Sequence, residues 1–498
     1  MRHLLSTSII VMLLSTNVTA QTVNIISSVN GEVWQQLKTH MQKEPDANPV
    51  LEIKGDEKIT VFKHWGTCFN ELGWDALNML SETDRKDIIR KTFSPDGDLR
   101  FTMGRIPINA NDYARSWYSC DEVAGDFKLK FFNIDRDKET LIPYIKEVLS
   151  VNKNISFWAS PWSPPSWMKI NADYPVRSDK NFNTMDPRKD YLLYEGEAGD
   201  RDDYKAPTGK TFPGKLAVTD YLIQDKRYLQ TYADYFSRFI TEYGNQGIKI
   251  SMVMYQNEAW SYTPYPGCAW TPEGIIRFNT EYLAPTLKRD HPDVDIYFGT
   301  INTNRFNFID KVLSNKLMPE SVKGIGLQWE GGEILPELRK KYPNYRYVQT
   351  ESECGWGSFD WAAAEHTFER INHYLGNGCE DYTFWNMVLA DKGISTWGWK
   401  QNALIRVNSH IRKATFTPEY YAVKHCSSVI PNGSIIMGHV SARGCNTPIL
   451  VVRTPEGKTI ALVGNFNDKA KTVTLKIKDK YLNMNLKAHS LNTFIIKK

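Results

Sequence analysis

Short apolar runs alternate with amphipathic stretches from about residue 60 to residue 410, and this alternation dominates the chain. Eight of the runs have the length and composition of buried strands. In chain order they are FKHWGTCF, LRFTMGRIP, NISFWASP, IKISMVMYQN, VDIYFGT, VKGIGLQW, YRYVQT and DYTFWN. Eight strands alternating with helices predict an α/β fold, a (β/α)8 TIM barrel. The alternative is an open doubly wound sheet, but no glycine-rich dinucleotide fingerprint follows the first strand.

The clearest helical pattern is DKRYLQTYADYFSRFITEYG, which begins at Asp225 and ends at Gly244. Its apolar residues recur every three to four positions and therefore share one helical face. They are Tyr228, Leu229, Tyr232, Tyr235, Phe236, Phe239 and Ile240. The pattern predicts a long amphipathic helix that stops at the glycine.

The segments on either side of the barrel have a different pattern. VLEIKGDEKITVFKHWGTCF reads as strands around a turn at Gly55-Asp56, and the chain beyond residue 415 reads as short strands separated by turn residues. We predict that residues 21–59 contribute to a β side domain, residues 60–414 form the barrel, and residues 415–498 form an attached β-sandwich side domain. A long insertion at 171–225 is expected to shape the barrel mouth.

Residues 1–20 have the pattern of a signal peptide. Basic residues at positions 2 and 3 precede an apolar run, and the small residues at 18–20 provide a cleavage site after Ala20. The run is too short to span a bilayer, and no later segment approaches the roughly 20 apolar residues of a transmembrane helix. We expect an exported chain, periplasmic or extracellular, without an integral membrane segment; a buried N-terminal helix is the alternative.

Composition narrows the function classes. The chain has 15 Trp, 25 Tyr and 22 Phe, residues whose aromatic faces often stack on sugars in exported proteins, although a large core can absorb them too. The net charge of +4 argues against a nucleic-acid partner, which needs a strongly basic face. The seven cysteines are scattered without a C-x-x-C pair, which argues against a zinc site. An exported protein can hold one or two disulfides, but the sequence does not pair the cysteines.

Two glutamates stand where predicted strands end. Glu258 follows the fourth strand in SMVMYQNEAWS, and Glu351 follows the seventh in YRYVQTESECG. Catalytic side chains of such barrels lie at the carboxyl ends of the strands, so both would face the mouth. Two carboxylates roughly 5 Å apart are what a retaining glycosidase requires. Glu353 would share a face with Glu351 in an extended strand, so patterning alone does not choose between them.

Several motifs resemble glycoside hydrolase family 30, the group of glucosylceramidases and β-1,6-glucanases. In chain order they are GRIPINANDY, ASPWSPPSWMKIN, the Asn257-Glu258 pair, YPNYRYVQTES, FWNMVL, STWGWKQNALI and VIPNGS. The resemblance runs from about residue 60 to the C-terminus. It implies that Glu351 is the nucleophile, that Glu258 is the acid/base, and that Glu353 is a structural acid. It implies a double displacement that needs no metal or organic cofactor.

The resemblance also implies a set of substrate-binding residues. They are Arg105, Asp112, Trp162, Asn257, Gln328, Trp385 and Asn402. Asp112 can accept from two sugar hydroxyls, Asn257 can bond the 2-hydroxyl, and Trp385 can form an apolar floor. Arg105 is expected to steady the carboxylates; a plain ion pair beneath the barrel mouth is the alternative.

Departures from the family pattern limit how far the roles of family residues can be assigned to this chain. Gln328 stands where many relatives carry His, and it can bond a hydroxyl but has no titratable proton. Ala259 replaces a frequent Pro. Trp397 and Trp399 are expected either to shape outer subsites or to pack in the core.

The proposed roles set two pKa expectations. Glu351 must be ionised to attack, so hydrogen-bond donors should keep its pKa low. Glu258 must hold a proton near neutral pH, so its pKa should be raised, with the charge of Glu351 contributing.

The expected function is an exported retaining β-glycosidase that hydrolyses β-linked glucans, with β-1,6-glucan as the first-choice substrate. A β-glucosidase or glucosylceramidase-like activity is the alternative within the class. A catalytically silent carbohydrate-binding protein is the alternative from a different class. The expected partner is a β-glucan or β-linked oligosaccharide, and the chain is expected to be a monomer. The sugar, the linkage and endo or exo action stay open.

Overall fold

The computed structural model describes residues 21–48, 50–189, 220–440 and 447–497. In chain order the strands are β1 Thr22–Val29, β2 Glu32–His40, β3 Val50–Val61, β4 His64–Cys68, β5 Met103–Ile108, β6 Ser156–Pro161, β7 Ile250–Met254, β8 Asp295–Ile301, β9 Gly324–Gln328, β10 Arg346–Glu351, β11 Asp381–Asn386, β12 Val388–Ala390, β13 Ile405–Asn408, β14 Lys413–Phe416, β15 Ile435–Val440, β16 Ile449–Arg453, β17 Thr459–Asn465, β18 Lys471–Ile477, β19 Lys480–Leu486 and β20 Ser490–Ile496. The predicted signal peptide and most of the predicted insertion lie outside the described residues.

Helices connect the strands. The α-helices are Glu71–Asn78, Glu82–Phe93, Asp135–Glu139, Leu141–Val151, Lys226–Asn245, Pro272–Arg277, Ala284–Asp290, Phe306–Leu313, Met318–Ser321, Leu335–Lys341, Trp361–Gly376 and Pro418–Ser427. A π-helical stretch, Phe278–Leu283, and 3-10 turns at Ser166–Met168, Pro187–Lys189 and Trp329–Gly332 complete the set in the described ranges.

Strands β4 to β11 close into a barrel of parallel strands in the order β10-β11-β4-β5-β6-β7-β8-β9. Each overlaps one of the eight apolar runs, so the predicted TIM barrel is confirmed. Every residue of β5, β9 and β11 is buried. This double-sided burial explains why the runs are continuously apolar instead of alternating.

The long helix predicted from DKRYLQTYADYFSRFITEYG is Lys226–Asn245. Asp225 caps its first turn by accepting from the backbone N–H of Arg227 at 2.9 Å. The predicted apolar face is buried, except that Tyr228 is only partly covered. The helix ends one residue beyond the predicted glycine stop.

Nine strands from the two ends of the chain form one sheet beside the barrel, in the order β19-β18-β3-β15-β16-β17-β20-β1-β2. The sheet folds over on itself, since a bridge joins Gln42, just beyond β2, to Tyr481 of β19. A separate apolar core, which includes Val23, Leu475 and Phe494, lies inside it. The predicted β side domain is therefore present as one folded-over sheet, and its residue boundaries stay a prediction.

The turn predicted at Gly55-Asp56 is wrong. Strand β3 continues through this stretch, and its pairing with β15 shifts register between Lys58 and Ile53. A bulge in the strand accommodates the turn-forming residues without reversing the chain.

A helix, Pro418–Ser427, lies in the region predicted to contain only strands. It packs against helix Trp361–Gly376 and against β20. Its buried His425 lies 2.8 Å from Thr493 Oγ1 and 2.8 Å from Ser28 Oγ. The helix therefore joins the barrel to the folded-over sheet.

Six of the seven cysteines belong to the described residues, and all six are buried free thiols. No disulfide forms among these six, so the bridges that an exported protein can hold are not found in this part of the chain. Within the described ranges, no helix is both long and apolar enough to cross a bilayer.

Candidate active site

The carboxyl ends of the barrel strands bring most of the predicted site residues together. They are Arg105 in β5, Asp112 beyond it, Trp162 after β6, Asn257 and Glu258 after β7, Gln328 at the end of β9, Glu351 at the end of β10, and Trp385 in β11. Because every strand of the barrel runs in the same direction, residues far apart in sequence meet at one rim.

The two predicted catalytic carboxylates share one hydrogen-bond donor, the side-chain amide of Gln328. Its Nε2 lies 3.0 Å from Glu258 Oε1 and 3.2 Å from Glu351 Oε2. The hydroxyl of Thr350 donates to Gln328 Oε1 at 2.9 Å, which fixes the orientation of the amide. A nitrogen in contact with both oxygens cannot hold them at the roughly 6.5–9.5 Å typical of inverting glycosidases.

Glu351 is almost completely buried and receives further donors. Arg105 Nη1 donates to its Oε2 at 2.8 Å, and the indole Nε1–H of Trp329 donates to its Oε1 at 2.8 Å. Burial nevertheless raises the pKa of Glu351 to about 7, with Arg105 lowering it and the charge of Glu258 raising it. The expectation of a low pKa is therefore wrong, because desolvation outweighs the donors. The two buried carboxyl groups titrate as a pair with raised pKa, and the donors to Glu351 favour placing the remaining charge of the pair on Glu351.

Arg105 lies beneath the site, inaccessible to solvent. Besides Glu351, its guanidinium donates to Asn257 Oδ1 at 2.6 Å and to Ser160 Oγ at 3.0 Å. Its Cζ lies 4.3 Å from the ring centre of Trp162 and 5.5 Å from that of Trp385. With its donors engaged by protein acceptors, Arg105 orients the side chains above it.

Glu258 is held in an uncommon backbone conformation, with φ at 49°. Its N–H donates to Thr300 Oγ1 at 3.1 Å, which supports that conformation. Ser261 Oγ donates to Glu258 Oε2 at 2.9 Å, and Asn302 Nδ2 donates to Ser261 Oγ at 2.7 Å. Burial raises the pKa of Glu258, while the bonds from Gln328 and Ser261 lower it.

Glu353 points away from this pair. It lies beyond the end of β10, and its carboxylate is 3.0 Å from His366 Nε2 and 3.8 Å from Arg370 Nη1, both on helix Trp361–Gly376. The strand does not continue past Glu351, so the shared face that would have made the two acids equivalent is not formed.

A cavity of about 500 Å³ opens above the carboxylates, within the roughly 300–1,000 Å³ of typical ligand sites. Asp112, Trp162 and Asn257 line it together with Glu258 and Glu351. Asp112 Oδ1 is buried with no hydrogen-bond partner. Burial, then the charges of the two glutamates, raises the pKa of Asp112.

Four of the predicted substrate-binding residues do not line the cavity. Arg105 and Gln328 lie buried beneath it, and Trp385 and Asn402 occupy other positions. Trp385 lies behind Trp162, stacked at 5.4 Å with the rings 25° apart, and its Nε1–H donates to Gln401 Oε1 at 2.7 Å. Asn402 donates to the buried Glu419 at 2.8 Å and is not part of the cavity wall, whereas its neighbour Gln401 is. The motif therefore lies at the site, with Gln401 and not Asn402 in the cavity wall.

Several cavity residues were not predicted as ligands. They are Arg177, Ser261, Asn302, Trp329, Glu330, Trp356 and Gln401. Trp329 immediately follows the end of β9, so the strand-end rule that identified Glu258 would also have identified it. Of the two tryptophans left open, Trp399 lines the cavity and Trp397 is buried, with its Nε1 3.3 Å from the Tyr174 hydroxyl.

Comparison with known proteins decides the family. Residues 62–185 and 208–430 match the model of the glycosyl hydrolase family 30 TIM-barrel domain. This match covers more than half of the chain. The chain belongs to glycosyl hydrolase family 30. It is therefore a glycoside hydrolase, as its motifs predicted.

Several known proteins are similar to this chain over most of their length. "Putative glucosylceramidase 3" of Caenorhabditis elegans is 25% identical over 436 residues, 82% of this chain and 75% of the relative. "Endo-1,6-beta-D-glucanase neg1" of Aspergillus fumigatus is 23% identical over 450 residues, 87% of this chain and 84% of the relative. The solved structure of the endo-beta1,6-glucanase BT3312 has a TM-score of 0.75 at 20% identity, covering 96% of this chain and 99% of that one. The structural likeness shows the fold.

The raised pKa of Glu351 predicts a pH-dependent stability. It is about 7 in the fold and roughly 4.3 in an unfolded chain, so the wild type loses stability as pH rises through this window. Glu351→Gln removes that titration. We expect its free energy of unfolding, relative to wild type, to increase by about 1–3 kcal/mol between about pH 5 and pH 8 in denaturant titrations.

The control for this measurement is Phe236→Ala, which removes a fully buried ring without changing any charge. The decrease in its free energy of unfolding, relative to wild type, should be the same at each pH. A difference between Glu351→Gln and wild type that is equally independent of pH would contradict the raised pKa.

Proposed function

We propose that this family 30 enzyme is an exported retaining β-glycosidase that hydrolyses β-linked glucans, with β-1,6-glucan as the preferred candidate substrate. One observation carries the proposal. A single amide nitrogen, that of Gln328, contacts both Glu258 and Glu351, so the two contacted oxygens lie closer together than the roughly 6.5–9.5 Å of inverting glycosidases, which favours a double displacement.

In the first step, Glu258 gives its proton to the glycosidic oxygen while a carboxylate oxygen of Glu351 attacks the anomeric carbon. The carbon–oxygen bond to the leaving sugar breaks, and the remaining sugar is esterified to Glu351. In the second step, Glu258 takes a proton from a water molecule, whose oxygen attacks the same carbon. The ester bond breaks, and both carboxyl groups return to their starting states.

The surroundings of the two acids support this assignment of roles. Burial makes two negative charges in one site unfavourable, so the pair retains one proton near neutral pH. Arg105 forms an ion pair with Glu351 at 2.8 Å, whereas the donors to Glu258 among the described residues, Gln328 and Ser261, are neutral. The remaining charge is therefore best placed on Glu351, and the proton on Glu258.

Support for a glucan comes from the relatives together with the cavity. An endo-1,6-β-glucanase is similar over most of both chains, and the cavity combines buried carboxylates with tryptophans, groups that suit hydroxyls and the apolar faces of sugar rings. A glucosylceramidase-like activity is the second candidate, because relatives bearing that name match a similar share of the chain.

The proposal is tested by incubating the protein with β-1,6-glucan and following the anomeric protons of the new reducing ends by NMR from the earliest minutes. We expect β-anomers to appear first, because two displacements retain the configuration. Initial release of α-anomers would contradict the retaining mechanism. Cleavage of an aryl β-glucoside without any release from the glucan would overturn the choice of substrate.

Substitutions separate the roles of the acids. Glu351→Gln should reduce turnover by at least about 10⁴-fold, because no ester can form. Glu258→Ala should retain far more activity on aryl β-glucosides with acidic leaving groups, which depart without protonation. Both effects are measured as kcat/KM on aryl glucosides that differ in leaving-group pKa.

Glu353→Gln is the matched control, since it makes the same change two residues away on a side chain directed at His366. It should keep most of the wild-type activity. An inactive Glu353→Gln beside an active Glu351→Gln would reverse the assignment.

A further inference from the structure

Trp356 is the exposed tryptophan of the cavity. Its side chain is 61% exposed, which makes it the most exposed tryptophan among the described residues. It lines the same cavity as Glu258 and Glu351. A large apolar ring left uncovered at the edge of a polar site is available to contact the apolar face of a ligand bound there.

Other tryptophans of the cavity hold this ring in place. Its centre lies 6.2 Å from that of Trp329, whose indole N–H binds Glu351, and 5.0 Å from that of Trp399, with the rings 72° apart. The contact with Trp399 is edge-to-face, which leaves the greater part of the Trp356 ring uncovered.

The loop that carries Trp356 is tied down from below by Asn402. The backbone N–H of Asn402 donates to Gly355 O at 2.9 Å, and Asn402 Oδ1 accepts from the N–H of Phe359 at 3.3 Å. Its Nδ2 donates to Glu419, which is fully buried in helix Pro418–Ser427. Asn402, which was expected to bind sugar, therefore anchors the loop that carries Trp356.

A glycine in the same loop completes the arrangement. Gly357 has φ at 81°, and a Cβ there would approach Lys392 O to 2.8 Å. Only a residue without a side chain adopts this turn at little cost. The exposed ring thus stands on a braced segment, which reduces the entropy lost when a ligand binds.

From these contacts we infer that Trp356 is a stacking platform for a second sugar ring of the glucan, adjacent to the ring bound between the carboxylates. The inference rests on the proposed glucan-hydrolysing function. The axial C–H bonds of a glucose ring form an apolar face that matches an indole, and stacking removes both surfaces from water. Asn402 is a positioning residue that acts through the loop.

The test compares two substrates. For Trp356→Ala, the ratio of kcat/KM on a β-1,6-linked gluco-oligosaccharide to kcat/KM on an aryl β-glucoside should fall about tenfold, the loss of about 1.4 kcal/mol of binding. Trp356→Phe keeps an aromatic face and should recover most of the ratio. Phe131→Ala removes a ring that is 59% exposed but does not line the cavity, and should leave the ratio unchanged.

Binding is measured without turnover in the Glu351→Gln background. Adding Trp356→Ala should weaken the calorimetric Kd for the oligosaccharide about tenfold. Asn402→Ser should lower the substrate ratio in the same direction as Trp356→Ala, because a loosened loop no longer presents the ring. A general loss of structure would lower activity on both substrates together and leave the ratio unmoved.

An unchanged ratio and an unchanged Kd for Trp356→Ala, in a protein that cleaves β-1,6-glucan, would overturn the platform and leave the proposed function standing. A wild-type protein that cleaves neither the oligosaccharide nor the aryl glucoside would overturn both.

Discussion

The site depends on one buried cation, Arg105. Its guanidinium is inaccessible to water, packs against Trp162 and Trp385, and forms an ion pair with Glu351. Breaking such a pair by removing one partner typically destabilises a protein by about 3–5 kcal/mol, because the other charge is left uncompensated. Glu351 therefore stabilises the rim of the barrel by compensating the charge of Arg105. Asn257 accepts from the same guanidinium and is held in position by it.

The side chains of the site form two layers around this buried cation. The lower layer, Arg105, Gln328 and Trp385, contacts other side chains and is closed to the cavity. The upper layer, including Asp112 and Glu258, faces the cavity. Gln328 links the layers with a neutral amide, so no titrating histidine sits between the two acids at this point. The protonation of the site then depends chiefly on the carboxyl groups themselves.

Sequence patterning located the strands and the segments of the site, because burial on both faces makes the barrel strands continuously apolar and the strand ends share one rim. Sequence patterning did not predict whether a given side chain lies beneath the cavity or faces it. Asn402 and Gln401 are neighbours in one motif, yet only Gln401 lines the cavity. Asn402 is turned toward Glu419 of another helix, whereas Gln401 accepts from Trp385 in the barrel. The bulge in β3 and the raised pKa of Glu351 depend equally on packing that the local sequence does not contain.

The most direct test of the central claim, that Glu351 forms the covalent bond to the sugar, is trapping with a 2-deoxy-2-fluoro-β-glucoside that carries a good leaving group. The fluorine slows both steps, and the activated leaving group lets the first proceed, so the ester accumulates. Mass spectrometry of the digested protein should then find one fluoroglucosyl group per chain on the peptide containing Glu351. A label on Glu258 or Glu353, or no label in a protein that turns over aryl β-glucosides, would contradict the account.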